Sequence, residues 1–329
     1  AVVGINWGDE GKGRMVDLFS AEHEIVVRYQ GGNNAGHTVV NERGKFVLNL
    51  LPSGILRPGT VNVLGPGMVL DLEHLTNEVA HIREQGVAIT PEHLKISDRA
   101  TICMPYHKMM DILEEDRLAD KKFGSTRRGI GPVYADKYMK KTLRTGDLLF
   151  PDKLRDKLAD LVEWKNITVQ GYGHEPVSVD EMYAWLEKYA FPWREYLCNT
   201  TEYLSAQADA GKSILFEAQL GALRDIDFGI YPYTSSSSTI AAYAPIGAGI
   251  PAKRLDSVVG LCCGVGRAVA ADLVKSGKVF VDAVNITNPA FGLKDECRIS
   301  VRGSGKYLFT FDGRMTGKGR YHVIINKFI

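Results

Sequence analysis

A short apolar run, Val2–Ile5, leads into Gly8-Asp9-Glu10-Gly11-Lys12-Gly13, and an amphipathic stretch through Val16, Leu18 and Phe19 follows at once. Three glycines in six residues let the backbone turn tightly, and the helix that follows offers its N-terminal N–H groups and positive dipole end to an anion. A strand, a Gly-rich turn and a helix in this order point to an α/β chain whose sheet is mainly parallel. Lys12 is a point charge placed for phosphate oxygens. The loop is not a Walker A sequence: no Gly lies five residues before Gly11, and neither Ser nor Thr follows Lys12. The metal ligand that such a hydroxyl supplies must therefore come from elsewhere. Asp9, inside the loop, is the expected Mg²⁺ ligand or proton acceptor.

The same alternation continues. Ile25–Tyr29, Phe46–Leu51, Val61–Leu64, Leu94–Ser97, Ser213–Phe216 and Val258–Cys262 read as strands bounded by Gly, Pro or polar turns. Helical spacing marks Leu72–Gln85, Tyr106–Glu115, Asp152–Trp164, Val179–Tyr189 and Glu202–Ala210. The expected architecture is a mixed, mainly parallel sheet flanked by helices, like a P-loop NTPase with a variant phosphate loop. It forms one elaborated domain over residues 1–261. Beyond it Val279–Ile286, Arg298–Val301 and Tyr307–Phe311 read as short strands, with turns at Gly303–Gly305 and Asp312-Gly313, giving a β-rich tail.

Charge separates the two parts. Of 40 basic and 39 acidic residues, 262–329 hold 11 and 5, leaving 29 and 34 in the rest. The overall balance argues against a nucleic-acid or membrane binder. A salt-dependent single-strand binder built on the basic tail, with Tyr307, Phe309, Phe311 and Tyr321, is the weaker third reading. Five scattered cysteines form neither a disulfide framework nor a zinc site, with Cys262-Cys263 read as a buried apolar pair. No apolar run reaches the ~20 residues of a membrane span. No signal peptide is visible, so a cytoplasmic location is expected.

Three further motifs carry chemistry. Gly31-Gly32-Asn33-Asn34-Ala35-Gly36-His37-Thr38 gathers backbone N–H groups, two amides, an imidazole and a hydroxyl, and His37 is placed to stabilise a transferring phosphoryl group. Gly124-Ser125-Thr126-Arg127-Arg128-Gly129-Ile130-Gly131-Pro132 offers hydroxyls and guanidinium groups to a second anion. Tyr231-Pro232-Tyr233-Thr234-Ser235-Ser236-Ser237-Ser238-Thr239 holds a hydroxyl run able to meet phosphate.

WGDEGKG (Trp7–Gly13) followed by NNAGHT (Asn33–Thr38) resembles the adenylosuccinate synthetases. The resemblance continues through PSGIL (Pro52–Leu56), GSTRRGIGPVYADK (Gly124–Lys137), RTGDL (Arg144–Leu148), FEAQLGALRDIDFGIYPYTSSSS (Phe216–Ser238) and GAGIP (Gly247–Pro251), covering residues 1–261. It implies a ligase of purine (AMP) biosynthesis that joins IMP and L-aspartate using GTP and Mg²⁺, through a 6-phosphoryl intermediate. It also implies catalytic roles for Asp9, Lys12 and His37. Phosphate and GTP contacts would fall on Gly8, Glu10, Gly11, Lys12, Gly13, Gly36 and Thr38. Mg²⁺ would sit on Asp9 and the Gly36 carbonyl. IMP contacts would fall on Asn34, Thr126, Arg128, Gln219, Thr234 and Ser235, and in a homodimer Lys140 would reach the partner's IMP.

The sequence departs from that family in three places. Lys140 stands where the family's trans-acting arginine is expected, keeping charge without the bidentate fork. Glu217-Ala218-Gln219-Leu220-Gly221 shifts the family's glutamine by one position. Residues 262–329 contain neither the arginine-rich loop expected to bind aspartate nor the Lys-x-Asp motif expected to read guanine. The change at residue 261 favours a disrupted reading frame over an internal deletion or a divergent tail. The alternative to an active ligase is a paralogue that binds purine nucleotide without turnover.

Overall fold

The computed structural model describes residues 1–41, 44–122, 124–250, 262–287, 289, 291, 293, 296–315 and 321–328. The chain separates into two compact units, residues 1–250 and 251–329.

In the first unit six strands form one sheet. Their order is β1 (Val2–Gly4), β10 (Ile214–Gly221), β2 (Ile25–Arg28), β5 (Val61–Leu64), β7 (Leu94–Ser97) and β9 (Leu197–Cys198), and each pairing is parallel. β2 lies between β10 and β5 and is buried throughout. Ile25-Val26-Val27 suits a strand covered on both faces, and a fully buried Arg28 in the same strand does not unless something engages it. Two short strands, β6 (Val69–Leu70) and β8 (Thr101–Ile102), pair in parallel as a separate two-stranded sheet.

Each helix follows from its own sequence signal. The chain leaves β1 through the Gly-rich loop into α1 (Lys12–Phe19). α2 (Leu72–Glu84) starts where the Asp71 carboxylate accepts from His74 N at 3.1 Å, and it buries Leu72, Leu75, Val79 and Ile82 on one face. α3 (Pro105–Leu118) and α5 (Pro151–Gly171) begin with Pro at the position where a missing N–H costs nothing. α4 (Ile130–Met139), α6 (Val179–Tyr189), α7 (Thr200–Asp209) and the short α8 (Ala244–Ala248) complete the layer. The largest apolar core joins Leu64, Leu72, Leu75, Val79, Leu94, Ile96, Leu154, Leu158 and Leu186.

Two strand expectations change. Phe46–Leu51 is a strand only as far as Leu48: β4 (Gly44–Leu48) pairs antiparallel with β3 (His37–Asn41) in a two-stranded sheet apart from the main one. The N–H groups of residues 49–51 turn instead to the Glu78 carboxylate, at 2.8, 2.9 and 3.2 Å. Ser213–Phe216 runs on through Gly221, so Glu217 and Gln219 are strand residues, both fully buried.

The second unit is an antiparallel sheet in the order β12 (Val284–Asn285), β11 (Val279–Val281), β13 (Arg298–Val301), β14 (Gly305–Met315) and β15 (Tyr321–Lys327). Ala270 and Val274 of α9 (Arg267–Lys275) pack with Val279, Val281, Ile299, Val301, Tyr307 and Phe309. Val279–Ile286 is therefore not one strand, since Asp282 and Ala283 reverse the chain with φ of 48° and 67°. Asp312-Gly313 is not a turn but lies within β14, where the register shifts between Phe311 and Met315. Cys262 and Cys263 are half-buried against this core, and burial pushes the Cys262 thiol up to about 12. The expected strand Val258–Cys262 lies outside the described residues up to Leu261.

Candidate active site

Two sequence motifs meet at the start of α1. A Cβ placed on Gly13 would lie 2.7 Å from His37 Cβ, so only glycine allows β3 to approach the first helical turn this closely. The turn has no side-chain cap and no acidic residue, and its N-terminal end is left for an anion. Lys12 is buried, with Nζ donating to Gly8 O at 2.7 Å and lying 3.7 Å from Glu10 Oε2. Burial pulls its ammonium below the ordinary lysine range, against the opposing charge of Glu10. Glu10 Oε1 accepts from Asn6 N at 2.7 Å, which occupies that carboxylate within the loop. Asp9 stands exposed on the same loop.

Behind His37 lies a buried network. His37 Nδ1 sits 2.5 Å from Glu217 Oε1. Ser53 donates to the same carboxylate from its N–H and its Oγ, both at 2.8 Å. Burial alone would raise Glu217, but the His37 hydrogen bond and the Arg28 charge leave it below the usual carboxylate range. Burial pulls His37 below the ordinary histidine range, against the pull of Glu217. Arg28 Nη1 donates to Asn49 O at 2.5 Å, while its Nε and Nη2 are buried without a hydrogen-bond partner. His37 Nε2 is likewise buried and unpartnered.

Gln219 faces the backbone rather than a ligand. Its Nε2 donates to Gly32 O at 2.7 Å and Ala35 O at 3.2 Å, and its Oε1 accepts from Gly32 N at 3.1 Å. Gly31 has φ 83°, and a Cβ there would fall 1.7 Å from Gln219 Oε1, so the loop and its clamp fit only with glycine. The Gln219 amide thus holds residues 31–35 in place. Asn34 is half-buried, with Oδ1 accepting from Gly32 N at 3.3 Å.

The other loops converge on this frame. Arg128 Nη1 donates to Asn33 O at 2.9 Å, bringing the Thr126–Arg128 turn to the 31–36 loop. Asp111 pins that turn through Ser125 Oγ and Gly129 N. Ser237 Oγ donates to Gln30 Oε1 at 2.9 Å, and Gln30 Nε2 to Gln219 O at 2.7 Å, tying the hydroxyl run to β10. Thr234 and Ser235 are half-buried beside it. Arg224 lies over the Trp7 ring at 4.9 Å and donates to Tyr233 O at 2.6 Å. Asp225 orders the same segment, accepting from the N–H groups of Asp227, Phe228 and Thr239. Thr126, Gly36 and Thr38 are exposed. Lys140 is not brought here. It caps the far end of the ten-residue α4, about 15 Å along the axis, exposed beside Tyr138 and Met139.

Sequence reasoning missed Arg28, Ser53, Glu217 and Asp225. PSGIL and FEAQLG were visible as motifs, but the role of Ser53 and Glu217 depends on a pairing across 164 residues.

The family model for adenylosuccinate synthetase matches residues 1–272. The chain belongs to the adenylosuccinate synthetase family. It is 48% identical over 261 residues to adenylosuccinate synthetase 2 of Pseudoalteromonas translucida, covering 78% of this chain and 62% of that protein. It is 42% identical over 262 residues to the enzyme of Lactococcus lactis, covering 79% and 60%. The chain thus spans about 60% of the length of these curated relatives. Adenylosuccinate synthetase 1 of Methanosarcina acetivorans is 36% identical over 319 residues, 97% of this chain and 71% of that protein. That alignment runs past residue 261, while the family model ends at residue 272. The solved structure of fully ligated adenylosuccinate synthetase from Plasmodium falciparum matches at TM-score 0.69 and 31% identity, over 75% of this chain and 57% of that one. A cyanophage S-2L succinoaminodeoxyadenylate synthetase shares the fold at TM-score 0.52 and 18% identity, over 99% of this chain and 77% of that one. Among the described residues no helix is long and apolar enough to cross a membrane.

Proposed function

We propose that this chain carries the phosphoryl-transfer centre of a GTP-dependent IMP–aspartate ligase. The observation that carries the reading is His37 seated on the first turn of α1, its Nε2 buried and unpartnered, in a member of this family. Asp9 takes the N1 proton of IMP. The 6-oxygen then forms a P–O bond to the γ-phosphorus of GTP as the bond to the β,γ-bridging oxygen breaks and GDP leaves. The α1 N–H groups, Lys12 and His37 meet the charge that spreads over the transferring group. The amine of L-aspartate next attacks C6, the C–O bond to phosphate breaks, and the amine gives up a proton. Asn34, Thr126, Arg128, Thr234 and Ser235 face IMP, and Lys140 reaches the partner's IMP in a homodimer.

Mg²⁺ fits the donor set. Among the described residues no three His, Cys, Asp or Glu side chains converge, so a cage made only of protein is absent. Mg²⁺ asks for one or two carboxylates and takes its other ligands from phosphate and water, and Asp9 with the Gly36 carbonyl meets that need. When bound it neutralises phosphate charge. The protein's part is to hold the loop, the lysine and the imidazole in place.

The test is phosphate release by the purified chain with IMP, GTP, Mg²⁺ and L-aspartate, with single omissions and Asp9→Ala. Release that needs every component and is lost in Asp9→Ala supports the ligase. Nucleotide binding without release supports the second reading, a non-turning-over paralogue.

A further inference from the structure

We infer that Glu217, braced by Ser53, is the positioning residue that holds His37 by Nδ1 and leaves Nε2 as the ring atom presented to the transferring phosphoryl group. The inference rests on the proposed function for its consequence, and on geometry alone for the orientation.

The donor count fixes the direction. Glu217 accepts two hydrogen bonds from Ser53 and lies 2.5 Å from His37 Nδ1. An ionised carboxylate only accepts, so the proton between them sits on Nδ1. The ring's second nitrogen has no protein partner although the residue is 6% exposed. A buried, unpartnered nitrogen is costly unless a ligand or water meets it. A ring held by Nδ1 in this way leaves Nε2 as the atom free to meet a ligand. Ser53 cannot drift, since it is fully buried in the 3₁₀ turn Ser53–Leu56, whose Gly54 would place a Cβ 2.5 Å from Val26 on β2. The chain therefore runs from β2 through the Ser53 turn to β10, then to His37 on the hairpin. Conserving the acceptor matters more than conserving the charge for orientation, so glutamine should substitute better than alanine.

The experiment pairs a spectroscopic and a kinetic readout. Long-range ¹H–¹⁵N spectra of the imidazole are expected to show His37 protonated at Nδ1 in the wild type and in Glu217→Gln, and mainly at Nε2 in Glu217→Ala. In phosphate release, kcat is expected to fall roughly 100-fold in Glu217→Ala and by no more than about 10-fold in Glu217→Gln, with KM for GTP within about 3-fold in both. In a His37→Ala background, Glu217→Ala should add less than about 2-fold, because the two act as one unit. Glu217→Ala also strips a carboxylate from buried Arg28. Ser53→Ala offers a milder route, keeping Glu217 but freeing it to turn, with kcat lowered a few-fold. A wild-type ring protonated at Nε2 alone, or equal losses with and without His37, would overturn the inference. The expected spectra with no phosphate release in any variant would uphold the orientation and reject the ligase reading.

Discussion

The two units of this chain are built on opposite principles. In residues 1–250 the sheet is parallel, and β1 finds its partner β10 more than two hundred residues away. In residues 262–328 the described strands pair antiparallel, mostly with sequence neighbours. The first unit buries Lys12, Arg28, His37, Glu78, Asp111, Glu217 and Asp225, while every fully described buried side chain of the second is apolar or a cysteine. Burying charge is costly unless it is paired or used, whereas burying Ile299, Val301 and Phe309 is favourable without further conditions. The difference locates the chemistry: the first unit accepts buried charge around one loop and one imidazole, and the second needs no more than its core to hold together.

The sharpest way to break this contrast is at the imidazole. His37→Ala is expected to lower kcat for phosphate release by about 10³-fold while leaving the melting temperature within a few degrees. An equal loss from any single core change in the second unit would erase the distinction.

The second unit should answer to packing alone. Ile299→Ala is expected to destabilise it by about 3 kcal/mol, through lost burial and a residual cavity. Hydrogen exchange would then rise across β11, β13 and β14 and stay unchanged across β2, β5 and β10. A smaller effect is expected from Gly13→Ala. The added methyl must displace His37 from 2.7 Å, so kcat should fall about 30-fold with little change in denaturant midpoint.

The smallest effect concerns acid. Glu24 joins the starts of β2 and β10, accepting from Ser213 N and Oγ at 2.6 Å each, with Lys212 Nζ at 3.1 Å. The Ser213 hydrogen bonds and Lys212 hold its carboxyl at about 2. A depressed native pKa stabilises the fold above the unfolded value, about 4.3, and that contribution is lost as pH falls toward 2. Glu24→Gln should flatten the stability curve over that window, lying slightly below wild type near pH 7 and meeting it near pH 2, as read by denaturant midpoints.

What the sequence makes legible follows from how local each signal is. Val2–Gly4, the Gly-rich loop and α1 are contiguous and could be read directly. So could Val179–Tyr189 and Arg298–Val301, where period and boundaries agree with the structure. The place of His37 as the first residue of β3 was not legible, since His-Thr after Gly reads as loop. β10 was cut short because Glu217 and Gln219 break the apolar run of a buried strand. They are there because their partners, His37 and the 31–35 loop, come from the other end of the sequence. The β11–β12 turn was hidden because Asp282-Ala283 adopts positive φ without the glycine that usually announces it. The hold of Gln219 on the 31–35 backbone was hidden because its partners lie more than 180 residues away in sequence.

The central claim is that this chain carries a working phosphoryl-transfer centre, whatever recognises aspartate. Positional isotope exchange tests it most directly, using GTP labelled with ¹⁸O at the β,γ-bridge, with IMP and Mg²⁺ present and L-aspartate omitted. The account predicts scrambling of the label that requires IMP and disappears in Asp9→Ala and His37→Ala. Absence of scrambling in the wild-type chain, with GTP and IMP both shown to be bound by calorimetry, would contradict it.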